Sequence, residues 1–516
     1  MTTDMNPHNT SAGSAVVLAA ICAAALVLPL DFSGAAAATS AIGRDLGGSP
    51  AMLAWIVNAF MLTFGSTLLT VGVLADEFGR RRVFVCGLAS FVVVSVAMCF
   101  STNLIQLNVM RALQGVAAAG TLAGGSAALA QEFHGARRTW AFSLLGTTFG
   151  TGLAFGPTIA GFLISAFGWR SIFLSAAIVG SISLLFGIPR MRETRNQHAS
   201  GPDWLGAIFF MLAIAAFTAA MLEAPEYGWA TPQIIGLLTL SALALASFVA
   251  IELRTARPML DLSLFRYPRF IGIQALPIAT TFSYVVLVVL LPSRLIGVEG
   301  YDEATAGICM LALSGPMLVI PLATANCTKW LSPAILSTCG LALAIVGLFW
   351  LAEIPPGTPL AALAWPMILI GCGSAMPWGL MDGLSVSVVP PDRAGMATGI
   401  FSTVRVAGEG LAIAIVHAVL AVFTHARLAR SSVNASHDQL SSLAYKLSTG
   451  DLPVSTSLPQ IDSDVLLAAY GSAFRDLMHL LALVVACCAT IVFFCLRYSV
   501  VSETRVGTGR KPTGDN

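Results

Sequence analysis

The sequence predicts an all-α integral membrane protein that crosses the membrane about fourteen times. Of its 516 residues, 56% are hydrophobic and 10% are charged, whereas a soluble globular chain carries roughly 25% charged residues. The apolar residues fall into separate runs that could each cross a hydrocarbon core of roughly 30 Å as a helix of about 20 residues. Lysine and arginine are concentrated in alternate connections between these runs, which is the pattern of a multi-pass protein.

The first apolar run follows a short polar stretch that lacks the Lys/Arg-rich region of a secretory signal, so we expect a retained membrane helix. Most connections between runs are short, and the exception is a polar stretch near residues 424–471. The predicted spans lie near residues 15–37, 52–74, 83–101, 105–129, 140–166, 171–189, 204–223, 233–252, 270–292, 304–324, 332–352, 360–384, 396–423 and 472–497.

The distribution of positive charge predicts that both termini are cytoplasmic. With the N-terminus inside, most lysines and arginines fall in inner connections or the C-terminal tail, whereas Arg294 falls in an outer connection. The stretch 424–471 is then periplasmic, and the protein is a multi-pass component of the cell inner membrane. The net charge of +1 and the absence of a dense basic cluster predict no nucleic-acid partner. The ten cysteines show no C-x-x-C or Cys/His spacing, which predicts no metal site.

Residues 72–82, after the second run, read GVLADEFGRRR. Gly72 would allow helices to approach closely, Gly79 suits a tight turn, and Asp76 can form charge-assisted bonds with an arginine such as Arg80. The string resembles the G-x-L-a-D-r-x-G-r-k motif of the major facilitator superfamily. The resemblance implies that this loop takes part in a conformational gate.

Two further strings resemble motifs of the same superfamily. Residues 111–115 read RALQG, similar to R-x-x-q-G in the fourth helix. Residues 152–161 read GLAFGPTIAG, similar to the antiporter motif g-x-x-x-G-P-x-x-G-G in the fifth helix, with alanine in place of one glycine. The residues that match the antiporter motif are Gly152, Gly156, Pro157 and Gly161.

Fourteen helices, rather than the usual twelve, resemble the drug:proton antiporter branch of the superfamily, as do residues 228–229, 258–266 and 390–399. The resemblance implies a six-helix bundle over residues 1–200, two inserted helices over 201–255 and a second six-helix bundle over 256–516. The chain departs from the branch at residues 34–38, which are all tiny, and at 323–329, where a second copy of the loop motif is no longer recognisable.

Ionisable side chains within apolar runs are candidates for function, because an unpaired charge in hydrocarbon is costly. Asp31 and Arg111 lie about six residues from the outer ends of their predicted helices, roughly 9 Å deep, and Gln114 shares a helix face with Arg111. We expect Asp31 to alternate between an ionised form near Arg111 and a protonated form. The alternative is a static ion pair that only fixes helix packing.

Arg405 and Glu409 lie four residues apart on one helix face near the middle of the thirteenth predicted span. They either neutralise each other, or Glu409 carries a proton or attracts a cationic substrate. Asp382 lies about two residues from the predicted inner end of the twelfth span, where we expect a hydrated position at the edge of a gate.

The sequence therefore predicts a multidrug efflux transporter that exports amphipathic, cationic or neutral drugs and toxic compounds in exchange for protons, and that confers antibiotic resistance. No P-loop string occurs, so the predicted energy source is an ion gradient without a cofactor, with sodium as the alternative to protons. The predicted partners are a small-molecule substrate and the lipid bilayer, with a periplasmic adaptor and an outer-membrane channel as candidates for a monomeric transporter. The alternatives are a dedicated exporter of one endogenous metabolite and, more distantly, a membrane-embedded enzyme, for which we find no convincing catalytic cluster.

Overall fold

The computed structural model describes residues 7–133, 135–195, 203–255, 260, 262–387, 394–430, 437–450 and 463–506. Within these ranges the chain forms helices and connections only, and fourteen helices are long and apolar enough to cross a membrane. The predicted all-α membrane fold is therefore confirmed. Residues 258–259 and 390–393, parts of two strings that suggested the antiporter branch, lie outside the described ranges.

We number the spanning helices α1 to α14. The first eight are α1 Pro7–Leu46, α2 Pro50–Phe78, α3 Arg80–Met98, α4 Leu104–Glu132, α5 Gly135–Phe167, α6 Arg170–Gly187, α7 Trp204–Tyr227 and α8 Pro232–Arg254. The last six are α9 Pro268–Val298, α10 Glu303–Cys327, α11 Pro333–Ala352, α12 Leu360–Ser387, α13 Ala394–Leu428 and α14 Ser463–Val506.

Polar residues begin several of these helices in the expected way. The side-chain oxygens of Ser49, Asn103 and Ser332 each accept a hydrogen bond from the backbone N–H three residues further on, at the starts of α2, α4 and α11. Some helices extend beyond the prediction. Helix α1 continues to Leu46, so Asp31 lies roughly 22 Å from its end along the axis. Asp31 is therefore further from the end of its helix than the predicted depth implied.

The first six helices pack largely on one another, with α1 against α5 and α6, and α4 against α2 and α3. The last six do the same, with α11 against α12 and α14, and α9 against α14. The two groups meet where α5 contacts α10 and α12, and where α2 contacts α13. Helices α7 and α8 pack on each other, and α7 also contacts α2 and α13. The residue boundaries of the three predicted units stay a prediction.

Helix α9 is enclosed by the other helices and is irregular. Of its most apolar stretch, 89% is buried, against 22% for α8, whose surface is left for lipid. Two π-helical segments, Thr281–Val285 and Ser293–Val298, interrupt its α-helical backbone. Such segments are rare and occur frequently at functional sites, so α9 is a helix in which to look for buried polar groups.

A shorter helix, His437–Thr449, lies in the connection between α13 and α14, and we call it the loop helix. Its buried Tyr445 hydroxyl donates a hydrogen bond of 2.6 Å to the carbonyl oxygen of Leu222 in α7. Gly450, which follows it with φ of +72°, lies so close to Gly297 of α9 that a Cβ on either glycine would collide with the other chain segment. The loop helix is therefore packed against the bundle, and the predicted polar stretch contains a structured element.

Candidate functional site

A cavity of about 410 Å³ lies between the two groups of helices, at the end of the bundle that carries the arginine-rich loop 79–82. We call this end the basic end. The cavity walls come from α2, α4, α5 and α13, with apolar contributions such as Leu68, Phe142 and Met396. Its charged lining side chains are Asp76, Arg80 and Arg138. A chamber that combines a mainly apolar wall with polar and charged side chains suits a small amphipathic molecule.

The opposite end of the bundle is closed by contacts between the two groups of helices. Arg44 of α1 forms an ion pair with Glu303 of α10. Thr158 of α5 donates a hydrogen bond of 2.8 Å to the carbonyl oxygen of Gly307 in α10. The molecule is therefore in a conformation whose chamber lies toward the basic end while its other end is sealed.

The structure brings Asp31, Arg111 and Gln114 together in one cluster, which we call the Asp31 cluster. Arg111 Nη1 donates to Asp31 Oδ2 at 2.6 Å and also to Gln114 Oε1. Gln114 Nε2 in turn donates to the Ser95 hydroxyl of α3 at 2.8 Å. The guanidinium also lies over the ring of Phe60 in α2, 4.4 Å from its centre. All three predicted side chains are completely buried, so the cluster ties α1, α2, α3 and α4 together inside the first group.

The Asp31 cluster is incompletely satisfied, and this defines what it can do chemically. Asp31 Oδ1 and Arg111 Nη2 have no hydrogen-bond partner among the described residues. Arginine keeps its charge in proteins, whereas a carboxylate can accept a proton and become a hydrogen-bond donor. The cluster therefore holds one removable charge beside one permanent charge, in a place that water does not reach.

In this conformation Arg405 and Glu409 form no ion pair or hydrogen bond with each other. Arg405 Nη1 instead donates to both carboxylate oxygens of Asp382 in α12, at 3.0 and 3.2 Å. The Asp382 side chain is 17% exposed, so it is more enclosed than the predicted hydrated position. Both oxygens of Glu409, a residue only 1% exposed, have no partner within the described part of the chain. A contact between neighbouring helices therefore replaced the one expected within a helix.

The predicted gate loop forms the turn between α2 and α3. Gly79 has φ of +113°, a conformation that favours glycine, and a Cβ there would also collide with the Glu193 carboxylate. Arg80 binds Asp76 one turn away at 2.7 Å. The expectation that Gly72 permits close helix approach was wrong in this conformation, because a Cβ at Gly72 would meet no atom within 4 Å. Gly72 instead lines the cavity.

The glycines that match the antiporter motif lie along α5 and face two different helices. A Cβ at Gly152 or Gly156 would collide with α1, at the carbonyl oxygens of Leu26 and Leu30 respectively. A Cβ at Gly161 would collide with the backbone of α10 at Glu303. Pro157 lies within α5, with its carbonyl oxygen beside Gly307 of α10. The motif therefore allows α5 to lie close to α1 within its own group and to α10 across the sealed end.

The tiny residues that set the first span apart from the antiporter branch do not line the cavity. Ala35, Ala37 and Ala38 are buried in an apolar cluster that includes residues of α6, and Ala37 also lies beside Pro292 of α9 and Ala306 of α10. The departure in sequence is therefore accommodated by close helix packing within the first group and against the second.

Sequence analysis missed one buried ion pair. Arg294, which was expected in an outer connection, is completely buried in the second π-helical segment of α9 and binds Glu299 at 2.7 Å. Its guanidinium lies over the ring of Phe474 in α14, 4.6 Å from the centre. The apolar residues Leu295, Ile296 and Val298 after Arg294 could have shown that the helix continues. No group of three or more potential metal ligands occurs in the described part of the chain.

The chain is similar to known proteins in sequence and in structure. A family profile described as Major Facilitator Superfamily matches residues 21–413. The chain is 29% identical over 378 residues to the multidrug resistance protein Stp of Mycobacterium tuberculosis (strain CDC 1551 / Oshkosh), covering 73% of this chain and 70% of that protein. It is 30% identical over 420 residues to the puromycin resistance protein pur8 of Streptomyces alboniger, covering 80% and 83%. It is 26% identical over 405 residues to the tetracenomycin C resistance and export protein of Streptomyces glaucescens, covering 78% and 75%.

Solved structures show the same fold. A bacterial homolog of the human lysosomal transporter Spinster, in an inward-facing and unoccupied conformation, aligns with a TM-score of 0.60 over 95% of this chain and 98% of that chain, at 15% identity. The human organic anion transporter MFSD10 aligns with a TM-score of 0.57 over 93% and 100%, at 13% identity.

Proposed function

Since this chain belongs to the Major Facilitator Superfamily, we propose that it exports amphipathic, cationic or neutral drugs and toxic compounds across the cell inner membrane in exchange for protons. It is a multi-pass membrane transporter, not an enzyme. Drug export is supported by the relatives, whose names refer to resistance and export. The mainly apolar cavity at the basic end is suited to cargo of this kind.

The Asp31 cluster is the observation that carries the proposal of proton coupling. A carboxylate and an arginine that are both completely buried are costly to maintain inside a membrane protein. Protonation of Asp31 would remove its charge pairing with Arg111. Among the described residues, the arginine would then keep its bonds to Gln114 and the Ile56 carbonyl. Proton binding at one residue would thus alter contacts among the helices of the first group.

The cavity at the basic end supports the direction of export. If the basic end is cytoplasmic, the present conformation admits cargo from the cytoplasm while the pair Arg44–Glu303 seals the outer end. Rocking of the two groups around a central site would then release cargo outside. Gly161 leaves α5 in close contact with α10, where such a movement has to occur.

A liposome experiment tests the function. The purified protein is reconstituted, the membrane potential is held at zero, and uptake of the lipophilic cation ethidium is followed under an imposed pH gradient. One pH unit stores about 1.4 kcal/mol for each proton, so one-for-one exchange supports up to about a tenfold cargo gradient. We expect accumulation in the compartment that is acidic at the start. Absence of accumulation for ethidium and for a panel of neutral and anionic drugs would contradict the proposal.

Asp31→Asn is the decisive variant, because asparagine keeps the shape of the side chain but cannot carry the proton. We expect it to lose gradient-driven accumulation while retaining exchange of labelled for unlabelled ethidium, which requires no net proton movement. Asp45→Asn is the matched control, since Asp45 lies on the same helix but is about half exposed in its pair with Arg170. Full gradient-driven transport by Asp31→Asn would exclude Asp31 as the proton carrier.

The alternative of a dedicated exporter for one metabolite rested on the tiny residues near the end of the first predicted span. Because Ala35, Ala37 and Ala38 are buried in helix packing and do not line the cavity, they give no reason to expect a narrow substrate range. A susceptibility panel on cells that express the protein distinguishes the two functions. Protection against several unrelated drugs is expected, and protection against one compound would favour the dedicated exporter.

A further inference from the structure

One arginine in the second group of helices is within reach of two carboxylates. Arg405 Nη1 binds both oxygens of Asp382, at 3.0 and 3.2 Å, while Arg405 Nε has no partner among the described residues. Glu409 lies one turn further along α13, and neither of its oxygens has a hydrogen-bond partner in the part of the chain that the structure describes. Arg405 and Glu409 are 4% and 1% exposed, so water does not replace the missing bonds.

The arginine can reach either acid by a change of its own side chain. Residues four apart on a helix have Cβ atoms about 5–6 Å from each other, and the guanidinium carries five N–H donors with a charge that it does not lose. Arg405 supplies the positive charge that acts on Glu409. Asp382 of α12 supplies the negative charge that faces Arg405. Among the described residues, Glu409 therefore competes with one acid, Asp382, for the cation of Arg405.

This competition takes place where the two groups of helices meet. The ring of Phe149 in α5 lies 4.7 Å from the guanidinium carbon of Arg405. Gly146, one turn earlier in α5, faces Asp382 so closely that a Cβ there would collide with its carboxylate. Any movement of α5 against α12 and α13 therefore changes the surroundings of the pair formed by Asp382 and Arg405.

An ionised carboxylate that is buried without hydrogen-bond donors is costly, and a proton on the carboxylate removes that cost. The present arrangement suits a protonated Glu409 and an ionised Asp382 bound to Arg405. If Arg405 moved from Asp382 to Glu409, the ionised form of Glu409 would become more stable than the protonated form. Asp382, which is partly exposed, could then be stabilised by water.

We propose that Asp382 is a positioning residue for proton exchange: it holds Arg405 away from a protonated Glu409, and transfer of Arg405 to Glu409 expels that proton. In this step the O–H bond of the Glu409 carboxyl group breaks, the proton leaves to water at the basic end, and the resulting carboxylate pairs with Arg405. Asp382 stays ionised throughout. The step rests on the proposed proton-coupled function and adds a second acid, with its own controlling partner, to the Asp31 cluster.

Infrared spectroscopy of the purified full-length protein in lipid tests the step. A protonated carboxyl group absorbs apart from an ionised one, so wild-type protein near neutral pH should show a band that Glu409→Gln removes. Asp382→Asn should remove the same band, because Arg405 then pairs with Glu409 and ionises it. Asp382→Glu should restore the band, and Asp302→Asn, at an exposed carboxylate outside the spans, should leave it unchanged.

Two results would overturn the inference: a band that Glu409→Gln does not alter, or a Glu409 band that persists in Asp382→Asn. The second result would mean that Asp382 only stabilises the fold. If Asp382→Asn cannot be purified as a folded protein, saturating wild-type protein with ethidium provides the second measurement. Loss of the Glu409 band on ethidium binding supports the transfer, and an unchanged band under bound ethidium contradicts it.

Transport assays separate this inference from the proposed function. If wild-type protein shows no gradient-driven transport, the proposed function fails whatever the infrared bands show. If wild-type protein transports but Asp382→Asn keeps both the Glu409 band and full gradient-driven accumulation, only the positioning role of Asp382 fails. A role in coupling predicts that Asp382→Asn loses accumulation against a gradient while retaining ethidium exchange.

Discussion

The ion pair between Asp31 and Arg111 allows a quantitative test of how the first group of helices is held together. In Asp31→Asn, the charge of Arg111 stays completely buried and loses its only carboxylate partner among the described residues. Removing one member of a buried pair costs about 3–5 kcal/mol. Arg111 keeps its bonds to the Ile56 carbonyl and to Gln114, so we expect a cost near the lower end, about 3 kcal/mol.

A double substitution distinguishes the charge from the shape of the site. When Arg111→Met is added to Asp31→Asn, both charges are removed, and apolar replacement of a buried ion pair is often neutral or stabilising. Gln114 then loses its arginine partner, at a cost of about 1–3 kcal/mol. We therefore expect the double variant to be no less stable than Asp31→Asn alone, although it should lack gradient-driven accumulation.

The free energy of unfolding can be measured by titrating purified protein with a denaturing detergent in mixed micelles and following tryptophan fluorescence. Asp45→Asn is again the control, because its exposed pair with Arg170 should contribute about 1 kcal/mol or less. A cost below about 1 kcal/mol for Asp31→Asn would refute the reasoning. So would a double variant whose destabilisation equals the sum of the two single variants.

Three further outcomes follow from the described contacts. Gly156→Val should destabilise the protein by about 1–3 kcal/mol, because its side chain would press on α1, whereas Gly72→Val, which faces open space, should give normal amounts of folded protein by size-exclusion chromatography. Tyr445→Phe should cost about 1 kcal/mol through loss of its bond to α7, and an unchanged unfolding midpoint would count against packing of the loop helix. In a cysteine-free background, Ser402→Cys in the cavity should react with a membrane-impermeant thiol reagent in inside-out vesicles. Thr358→Cys at the sealed end should react only in right-side-out vesicles. The reverse pattern would overturn the predicted orientation.

The membrane helices were predictable because the physical signal is strong and local. Backbone polar groups in lipid must be satisfied within the segment, so length and apolar composition identify a spanning helix without any knowledge of its neighbours. Helix ends were less predictable. Helix α1 continues to Leu46, past Arg44 and Asp45, because these charges find partners in Glu303 and Arg170.

Within the candidate site, the predictable contact was the one between two charges whose depths were predicted to match. Asp31 and Arg111 are isolated charges in apolar helices, and the need for a partner was enough to pair them. Arg405 had two possible partners, and the sequence favours the near one because residues four apart share a helix face. The choice of Asp382 depends on how α12 packs against α13, and no local pattern contains that information.

The loop helix shows a different limit. Leu440, Leu443 and Leu447 have the spacing of an apolar helix face, but serines and charged residues surround them. A segment of thirteen residues is marginal as an isolated helix. It is held by contacts with α7, α9 and α13, which depend on the folded bundle. The signal was therefore present in the sequence, while the stabilising contacts were not local to it.

The two π-helical segments of α9 have a practical consequence for anyone who compares or redesigns this chain. Each segment fits more residues into a turn than an α-helix does, so the direction of every later side chain is rotated relative to a regular helical wheel. A projection drawn from Pro268 with constant spacing will assign Arg294 to the wrong side of α9. Deleting one residue between Thr281 and Val285 would leave the length of the span almost unchanged. Because a π-helical turn holds about one more residue than an α-helical turn, this deletion would restore a regular helix and keep the buried arginine facing the same neighbours.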